Sequence, residues 1–125
     1  APYRVVEVNK TMKGGAYMTF TVNDTAWQLR FVNPRDKNLR RRSGSFTIGM
    51  TDNNQKTVFI ADNLSDYMTD KCMAHELTHV YAFTMNYLMS EETEEIVADF
   101  LSLFGRDIIY LLDDLVGILR KAYIA

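Results

Sequence analysis

The chain has 125 residues, of which 47% are hydrophobic and 12% aromatic, so a single folded domain is predicted and a disordered chain is excluded. Only six glycines and two prolines are present, which excludes collagen-like and linker-like sequences. The net charge of -2 conceals a separation: residues 1–62 carry ten Lys and Arg against five Asp and Glu, and residues 63–125 carry four against eleven. A basic sheet packed beside an acidic helical layer would account for this pattern.

The sequence favours a cytoplasmic protein with no membrane contact. Its most apolar run, residues 108–119, is interrupted by Asp113 and Asp114 and is shorter than the roughly 20 residues that span a bilayer. The first residues lack a charged and then apolar leader. Cys72 is the only cysteine and cannot form an internal disulfide, so nothing indicates an oxidising compartment. The sequence does not predict an oligomeric state.

Residues 1–62 predict β-structure, because short runs rich in Thr, aromatic and β-branched residues alternate with turn signals. Asn23-Asp24 separates one pair of runs and residues 51–55 separate another, which predicts two hairpins. Gly14-Gly15 would end the first strand. The predicted strands are Tyr3–Val8, Tyr17–Val22, Ala26–Val32, Phe46–Met50 and Thr57–Ala61.

A basic segment, Arg35–Arg42, places five positive charges within eight residues. Such a run is usually a solvated loop, and this is the favoured interpretation. The alternative is a contact with an acidic protein or a nucleic acid. Nucleic acid is disfavoured because the segment has too few aromatic side chains for base stacking.

After residue 62 the hydrophobic pattern becomes helical. Ser65 is a suitable N-cap for a helix that ends near Asn86 and is apolar on two faces, as expected of a central helix. Ser90 caps a second helix, which would end at Gly105. A third helix is predicted over residues 107–123, with Ile108, Leu111, Leu112, Leu115 and Leu119 as its buried stripe. The predicted class is therefore α+β, with residues 1–62 forming the sheet region and residues 63–125 the helical region of one domain.

Both histidines of the chain lie in one motif, His75-Glu76-Leu77-Thr78-His79. Four residues of helix turn by about 400°, so both imidazoles leave the same face and can share a metal ion. Glu76 is offset by about 100°, within reach of a water on that metal. Cys72, one turn earlier, is expected to be a small buried thiol and not a ligand.

A catalytic zinc site needs three protein ligands and an open position, and without a third histidine the third ligand must be a carboxylate. Glu91, Glu92, Glu95 and Asp99 share one face of the second helix, while Glu94 is expected to point away from it. Four aligned acids can be a solvated stripe. However, Glu95 and Asp99 lie among apolar residues, where a metal partner would offset the cost of burying a carboxylate.

The two motifs together resemble a known family. His75-Glu76-Leu77-Thr78-His79 followed by Glu95-Ile96-Val97-Ala98-Asp99 is similar to the arrangement in gluzincin zinc peptidases. Over roughly residues 46–104 the chain looks most like the ImmA/IrrE-type metallopeptidases and the compact minigluzincins. The resemblance implies a zincin-like fold, in which a twisted N-terminal sheet, antiparallel or mixed, packs on a central active-site helix followed by two further helices.

The resemblance also implies a ligand set. One zinc ion per chain would be held by His75, His79 and Glu95, and Asp99 would orient one of the histidines. Glu91 and Glu92, one turn earlier, remain alternatives to Glu95.

The implied activity is that of a metalloendopeptidase cleaving a regulatory protein, with Glu76 as the general base acting on the zinc-bound water. The chain lacks a further histidine to stabilise the oxyanion, which leaves Tyr81, Tyr87 or Tyr110 as candidates. By analogy with zincins, an extended substrate would pair with an edge strand. That strand would consist of Phe46, Thr47, Ile48, Gly49 and Met50, with Gly49 leaving room for the approaching backbone.

Two alternative functions keep the fold without the activity. The protein could be a catalytically silent zincin-fold module that binds an acidic partner or nucleic acid through Arg35–Arg42. It could also be a latent peptidase, because Ala1–Met12 is long enough to plug the cleft.

Overall fold

A computed structural model of the protein describes residues 3–9 and 17–124. In these residues five strands form one mixed sheet in the order β1-β2-β3-β5-β4. Neighbouring strands are antiparallel except β3 and β5, which are parallel. The strands are β1 (Tyr3–Asn9), β2 (Tyr17–Val22), β3 (Thr25–Val32), β4 (Gly49–Asp52) and β5 (Thr57–Ala61). The predicted α+β class is confirmed.

The first predicted hairpin, β2 and β3, forms at Asn23-Asp24. Both residues adopt positive φ angles, 47° and 63°, and Val22 pairs with Thr25 across the turn. Asn and Asp tolerate this left-handed backbone conformation better than most residues, which is why the pair is a hairpin signal. The second predicted hairpin is also present, since β4 pairs with β5 in antiparallel register.

The connection from β3 to β4 carries the basic segment. A single 3₁₀ turn, Lys37–Leu39, is anchored by Leu39, which is fully buried against Val32 and Phe59. The cationic side chains around it are all exposed, as predicted for a solvated loop: Arg35, Lys37, Arg40, Arg41 and Arg42. One buried leucine therefore fixes a segment whose charges remain in solvent.

The predicted bounds of the fourth strand were wrong. Phe46–Met50 was expected, but β4 comprises Gly49–Asp52, and Phe46 takes part only in an isolated bridge with Arg40. Thr47 N–H donates to the carbonyl of Leu39, so Phe46 and Thr47 pair with the basic segment, whereas the Ile48 carbonyl already accepts from Ala61 N–H of β5. Local propensity did not reveal this competing partner.

The N-terminal strand lies at the sheet edge opposite β4. It runs one residue beyond the predicted Tyr3–Val8, and its neighbour is β2. Residues 3–9 therefore belong to the sheet and do not plug a cleft beside β4. The rest of the proposed plug, at residues 1, 2 and 10–12, and the Gly14-Gly15 strand end lie outside the described residues.

The first helix, α1 (Asp66–Thr84), is capped by Ser65 as predicted, because the Ser65 hydroxyl accepts from the Met68 N–H. Its apolar side packs on the sheet, where Val80 and Cys72 join the main core cluster. Trp27, also fully buried there, donates its indole N–H to the Thr84 hydroxyl at 3.0 Å. The central position predicted for this helix follows from these contacts.

The prediction of two further helices was wrong. A single 34-residue helix, α2 (Glu91–Ile124), continues through Gly105. One glycine inside a helix costs only about 1 kcal/mol relative to alanine, and Gly105 does not adopt a positive φ. The residue is thus compatible with a continuous helix.

The predicted burial of the last apolar stripe was also wrong. Side chains beyond Arg106 are largely exposed, including Ile108, Leu111, Leu112, Leu115 and Leu119. The periodicity was correctly identified as helical, but periodicity does not show whether a packing partner is present. In the part of the chain that the structure describes, no helix is long and apolar enough to cross a membrane.

Replacing Leu39 by alanine should test the anchoring of the basic segment. We expect Leu39→Ala to lower the free energy of unfolding by about 2–5 kcal/mol, because the removed side chain leaves a cavity in a closed cluster. Urea denaturation measures the loss. The matched control, Leu88→Ala, removes the same atoms from a side chain that is 87% exposed and should change stability by less than about 0.5 kcal/mol. Equal losses would contradict the anchoring role.

Candidate metal centre

Helices α1 and α2 run antiparallel, and their contact brings three side chains to one point. His75 and His79 lie one turn apart on α1, with their Nε2 atoms 3.3 Å from each other. Glu95 of α2 reaches both: its Oε2 lies 3.2 Å from His75 Nε2 and its Oε1 2.9 Å from His79 Nε2. These three residues form a group whose ligand atoms all lie within 4.8 Å of one another, as a metal ion requires.

The opposite ring nitrogens are held by two further carboxylates. His75 Nδ1 lies 2.9 Å from Asp99 Oδ1, and His79 Nδ1 lies 2.6 Å from Glu94 Oε2. An ionised carboxylate only accepts hydrogen bonds, so these two contacts favour a proton on each Nδ1. In the neutral tautomer with that proton, the Nε2 lone pair is free and directed at the common point.

Lone pairs from three atoms therefore converge on one position. The two Nε2 atoms and the Glu95 carboxylate are all acceptors in this state, and acceptors about 3 Å apart repel one another. A cation at their centre removes the repulsion. The arrangement can thus bind a metal ion through His75, His79 and Glu95.

Sequence reasoning missed Glu94, which was expected to point away from the site. Neighbouring helix residues differ by about 100° in direction, so Glu94 and Glu95 do leave α2 on different sides. Because α2 lies directly beside both histidines, however, Glu95 meets the inner nitrogens while Glu94 meets the outer nitrogen of His79. The alternatives Glu91 and Glu92 do not belong to the three-residue group.

Glu76 faces the same point from the sheet side. It is buried, and its Oε2 lies 3.9 Å from His75 Nε2. Thr51 of β4, which sequence reasoning did not identify, donates its hydroxyl to Glu76 Oε1 at 3.0 Å. Burial raises the pKa of the Glu76 carboxyl above its ordinary value, while His75 and the Thr51 hydrogen bond act in the opposite direction.

Gly49 allows β4 to approach α1 closely. A Cβ atom at this position would lie 2.5 Å from Cys72 Sγ and 3.1 Å from the Cγ and Oε2 atoms of Glu76. The space at this side of the glycine is thus occupied by side chains of α1. Gly49 was expected to leave room for a substrate backbone. On this side of the glycine, the room is taken by Cys72 and Glu76.

Cys72 behaves as predicted for a buried thiol. Burial raises the pKa of the Cys72 thiol to about 12, and the negative charge of Glu76 contributes a smaller part of this increase. The thiol therefore stays protonated at neutral pH and packs within the core cluster. It lies outside the metal-ligating group.

A cavity of about 970 Å³ opens beside the site. Residues Thr47–Thr51 line one wall, so four of the five residues predicted to contact substrate border it, and Phe46 does not. Two cationic side chains, Arg41 and Lys71, also line the cavity, which sequence reasoning did not foresee. The basic segment and the metal-ligating group therefore share one cleft.

The three tyrosines considered as oxyanion stabilisers lie elsewhere. Tyr81, Tyr87 and Tyr110 are all exposed, and none of them is among the described residues that line the cavity. The side chains that border the cavity and can donate hydrogen bonds include the hydroxyls of Thr47, Thr51 and Ser102 and the cationic groups of Arg41 and Lys71.

Comparison with models of protein families, with curated proteins and with solved structures found no match to this chain. Interpretation of the site therefore depends on its geometry and on the sequence motif.

Adding a methyl group at Gly49 should disturb the contact between β4 and α1. We expect Gly49→Ala to destabilise the protein by about 1–3 kcal/mol, because Cys72 and Glu76 must shift to admit it. Thermal or urea unfolding measures this loss. The control Gly117→Ala lies in a helix with open space around the new Cβ, and should stabilise by about 0.5–1 kcal/mol. A stabilising Gly49→Ala would contradict the close approach.

Proposed function

We propose that the protein is a zinc-dependent metalloendopeptidase. The observation that carries the proposal is the convergence of His75 Nε2, His79 Nε2 and the Glu95 carboxylate on one point, with the Glu76 carboxylate beside it. The resemblance of the two motifs to gluzincins supports the same conclusion.

Two imidazole nitrogens and one carboxylate are a donor set that zinc takes in catalytic sites, and this supports zinc as the ion. The two Nε2 atoms lie 3.3 Å apart, and different oxygens of Glu95 lie 3.2 Å from His75 Nε2 and 2.9 Å from His79 Nε2. Three protein ligands leave the fourth position open, as in catalytic sites, whereas a structural site has four closed protein ligands.

When bound in such a site, zinc lowers the pKa of a water molecule and polarises a carbonyl group. Glu76 then acts as the general base. Thr51 holds Glu76 Oε1, and Oε2 lies on the side of His75 Nε2. Glu76 would accept the proton of the attacking water and return it to the leaving amine.

Substrate binding at the edge of the sheet is consistent with this mechanism. β4 is an edge strand and lines the cavity, so its free main-chain groups are available to an extended peptide. Arg41 and Lys71 place positive charge along the same cleft. The same cleft is also lined by the acidic residues of α2, so the charges of its walls do not select an acidic substrate. The edge strand favours a protein or peptide substrate, and the resemblance suggests a regulatory protein.

The alternative of a silent binding module is supported by the exposed charges of the basic segment. However, Arg41 borders the same cavity as Glu76, which supports a role in binding a substrate there. The latent form is supported less well, because residues 3–9 occupy the far edge of the sheet.

Zinc titration against a competing chelator tests the ligand set. Glu95→Ala should weaken zinc binding more than any other carboxylate substitution, because it removes a direct ligand. Glu94→Ala and Asp99→Ala should weaken it by only about 10- to 100-fold, because each orients one histidine. The control Glu92→Ala, an exposed acid of the same helix, should be neutral. Normal zinc affinity in Glu95→Ala would refute the site.

Substitution of the general base tests the activity separately from the metal. Glu76→Gln should lower peptide hydrolysis by at least about 10²-fold, because an amide cannot accept the proton of the water. Its zinc affinity should remain within the range of the unmodified protein, since Glu76 is not a ligand. Cleavage of a peptide library and zinc content are the two measurements. A fully active Glu76→Gln variant would refute the mechanism, and the control Glu92→Gln should retain activity.

A further inference from the structure

The second half of α2 extends beyond the rest of the molecule. Arg106 pairs with Asp70 of α1 through both guanidinium nitrogens, at 2.5 and 2.8 Å. From there to residue 122, every position except Val116 and Gly117 is exposed. We call residues 107–122 the arm. Its large apolar side chains are about half exposed, which is far more apolar surface than an isolated soluble helix usually presents.

The apolar residues of the arm follow the spacing of a two-helix interface. Steps of three and four residues alternate along one stripe, which begins before the arm and continues through it. The stripe consists of Leu101, Phe104, Ile108, Leu111, Leu115 and Ile118. This is the a and d pattern of a heptad repeat, sustained over more than two heptads. The pattern predicts that another helix lies along the stripe.

The stripe faces away from the metal-ligating group. At 100° per residue, Phe104, Ile108 and Leu115 lie on the side of α2 roughly opposite Asp99, which contacts His75. A partner helix can therefore cover the stripe without closing the cleft. Both surfaces can be occupied at once.

A lipid surface does not fit the arm. Helices that lie in a membrane interface are rich in Lys and Arg on their polar face. Between residues 107 and 119 the arm has only acidic charges, at Asp107, Asp113 and Asp114. Its basic residues, Arg120 and Lys121, stand together near the end.

We propose that the arm binds the arm of a second copy of this chain in antiparallel orientation. Asp107 and Lys121 lie on the same edge of the stripe, fourteen residues apart. When Leu111 opposes the partner's Leu115, Asp107 lies beside the partner's Lys121, and the two-fold axis repeats this pair. A parallel dimer would instead place Asp107 beside the partner's Leu112, and would not bring Asp107 and Lys121 together. The charges therefore complement the antiparallel arrangement.

The proposed overlap covers residues 104–122, a length of about 27 Å at 1.5 Å per residue. Along it Ile108 faces the partner's Ile118, so the exposed stripe of each copy is covered by that of the other. Asp114 meets the partner's Asp114 at the centre. This exposed like-charge contact opposes association slightly, and the two outer ion pairs compensate for it.

The mass of the full chain in solution tests the dimer. Analytical ultracentrifugation at micromolar concentration should give about twice the chain mass of 14.4 kDa. Leu111→Asp should shift the protein to a monomer, since a charge in the stripe cannot be buried. The control is Tyr110→Asp: Tyr110 is 61% exposed and Leu111 59%, but Tyr110 lies about 100° around the helix from Leu111, outside the stripe, and its variant should remain dimeric. Circular dichroism verifies that both variants are folded.

A charge exchange tests the orientation. Asp107→Lys and Lys121→Asp should each weaken the dimer by roughly three- to tenfold, because each replaces two ion pairs with two like-charge contacts. The double variant should return to within about twofold of the original dissociation constant. Failure of the double variant to recover would overturn the antiparallel arrangement.

A monomeric full chain would overturn the proposal, as would a dimer that Leu111→Asp leaves intact. Binding of the arm to phosphatidylserine vesicles in place of self-association would also overturn it. None of these measurements requires hydrolysis or bound zinc, so they test the dimer independently of the proposed peptidase activity.

Discussion

The carboxylates of α2 contact both ring nitrogens of each histidine on α1. Asp99 and Glu94 lie at the outer nitrogens and Glu95 at the inner ones; in the neutral tautomers with Nδ1 protonated, the Nε2 lone pairs face each other and the Glu95 carboxylate. This convergence is unfavourable without a cation or a proton between the groups, and the surrounding packing must hold it. Ala98, fully buried, lies between Glu95 and Asp99 on α2, where its small side chain allows the two helices to approach closely.

The sheet supplies the opposite wall of the site, and the edge position of β4 allows it to serve two purposes. Toward α1, the absence of a side chain at Gly49 and the hydroxyl of Thr51 fix the position of Glu76. Toward solvent, the free edge of the same strand borders the cavity. The neighbouring strand β5 is buried along its whole length and could not offer a free edge. The general base that we propose, Glu76 of α1, and the proposed surface for an extended peptide thus meet at one short strand.

The two halves of the long helix α2 differ in the chemistry of their side chains. Its first half carries the carboxylates that contact the histidines, and its second half, the arm, carries exposed apolar side chains. The antiparallel dimer that we propose would cover the stripe and leave both clefts open, because the stripe and the carboxylates lie on different sides of the helix. The charge separation along the chain has a structural counterpart, since the basic segment and the acidic face of α2 border the same cavity.

The sequence by itself determined whatever depends on local periodicity and short-range signals. The strands, the Asn23-Asp24 hairpin and the capped helix α1 could be predicted because each depends on neighbouring residues. The common face of His75 and His79 follows from the helical period alone. The approach of Glu95 could be inferred only together with a turn that reverses the chain between the two helices.

Only the tertiary structure decided which residues meet across elements. The role of Glu94, the contact of Thr51 with Glu76 and the bounds of β4 depend on how α2 and the sheet dock on α1, and no local signal specifies that docking. The exposure of the arm was also beyond prediction from the sequence. An apolar stripe has the same spacing whether it is buried or exposed. Periodicity shows which face of a helix is apolar, whereas burial depends on what packs against that face.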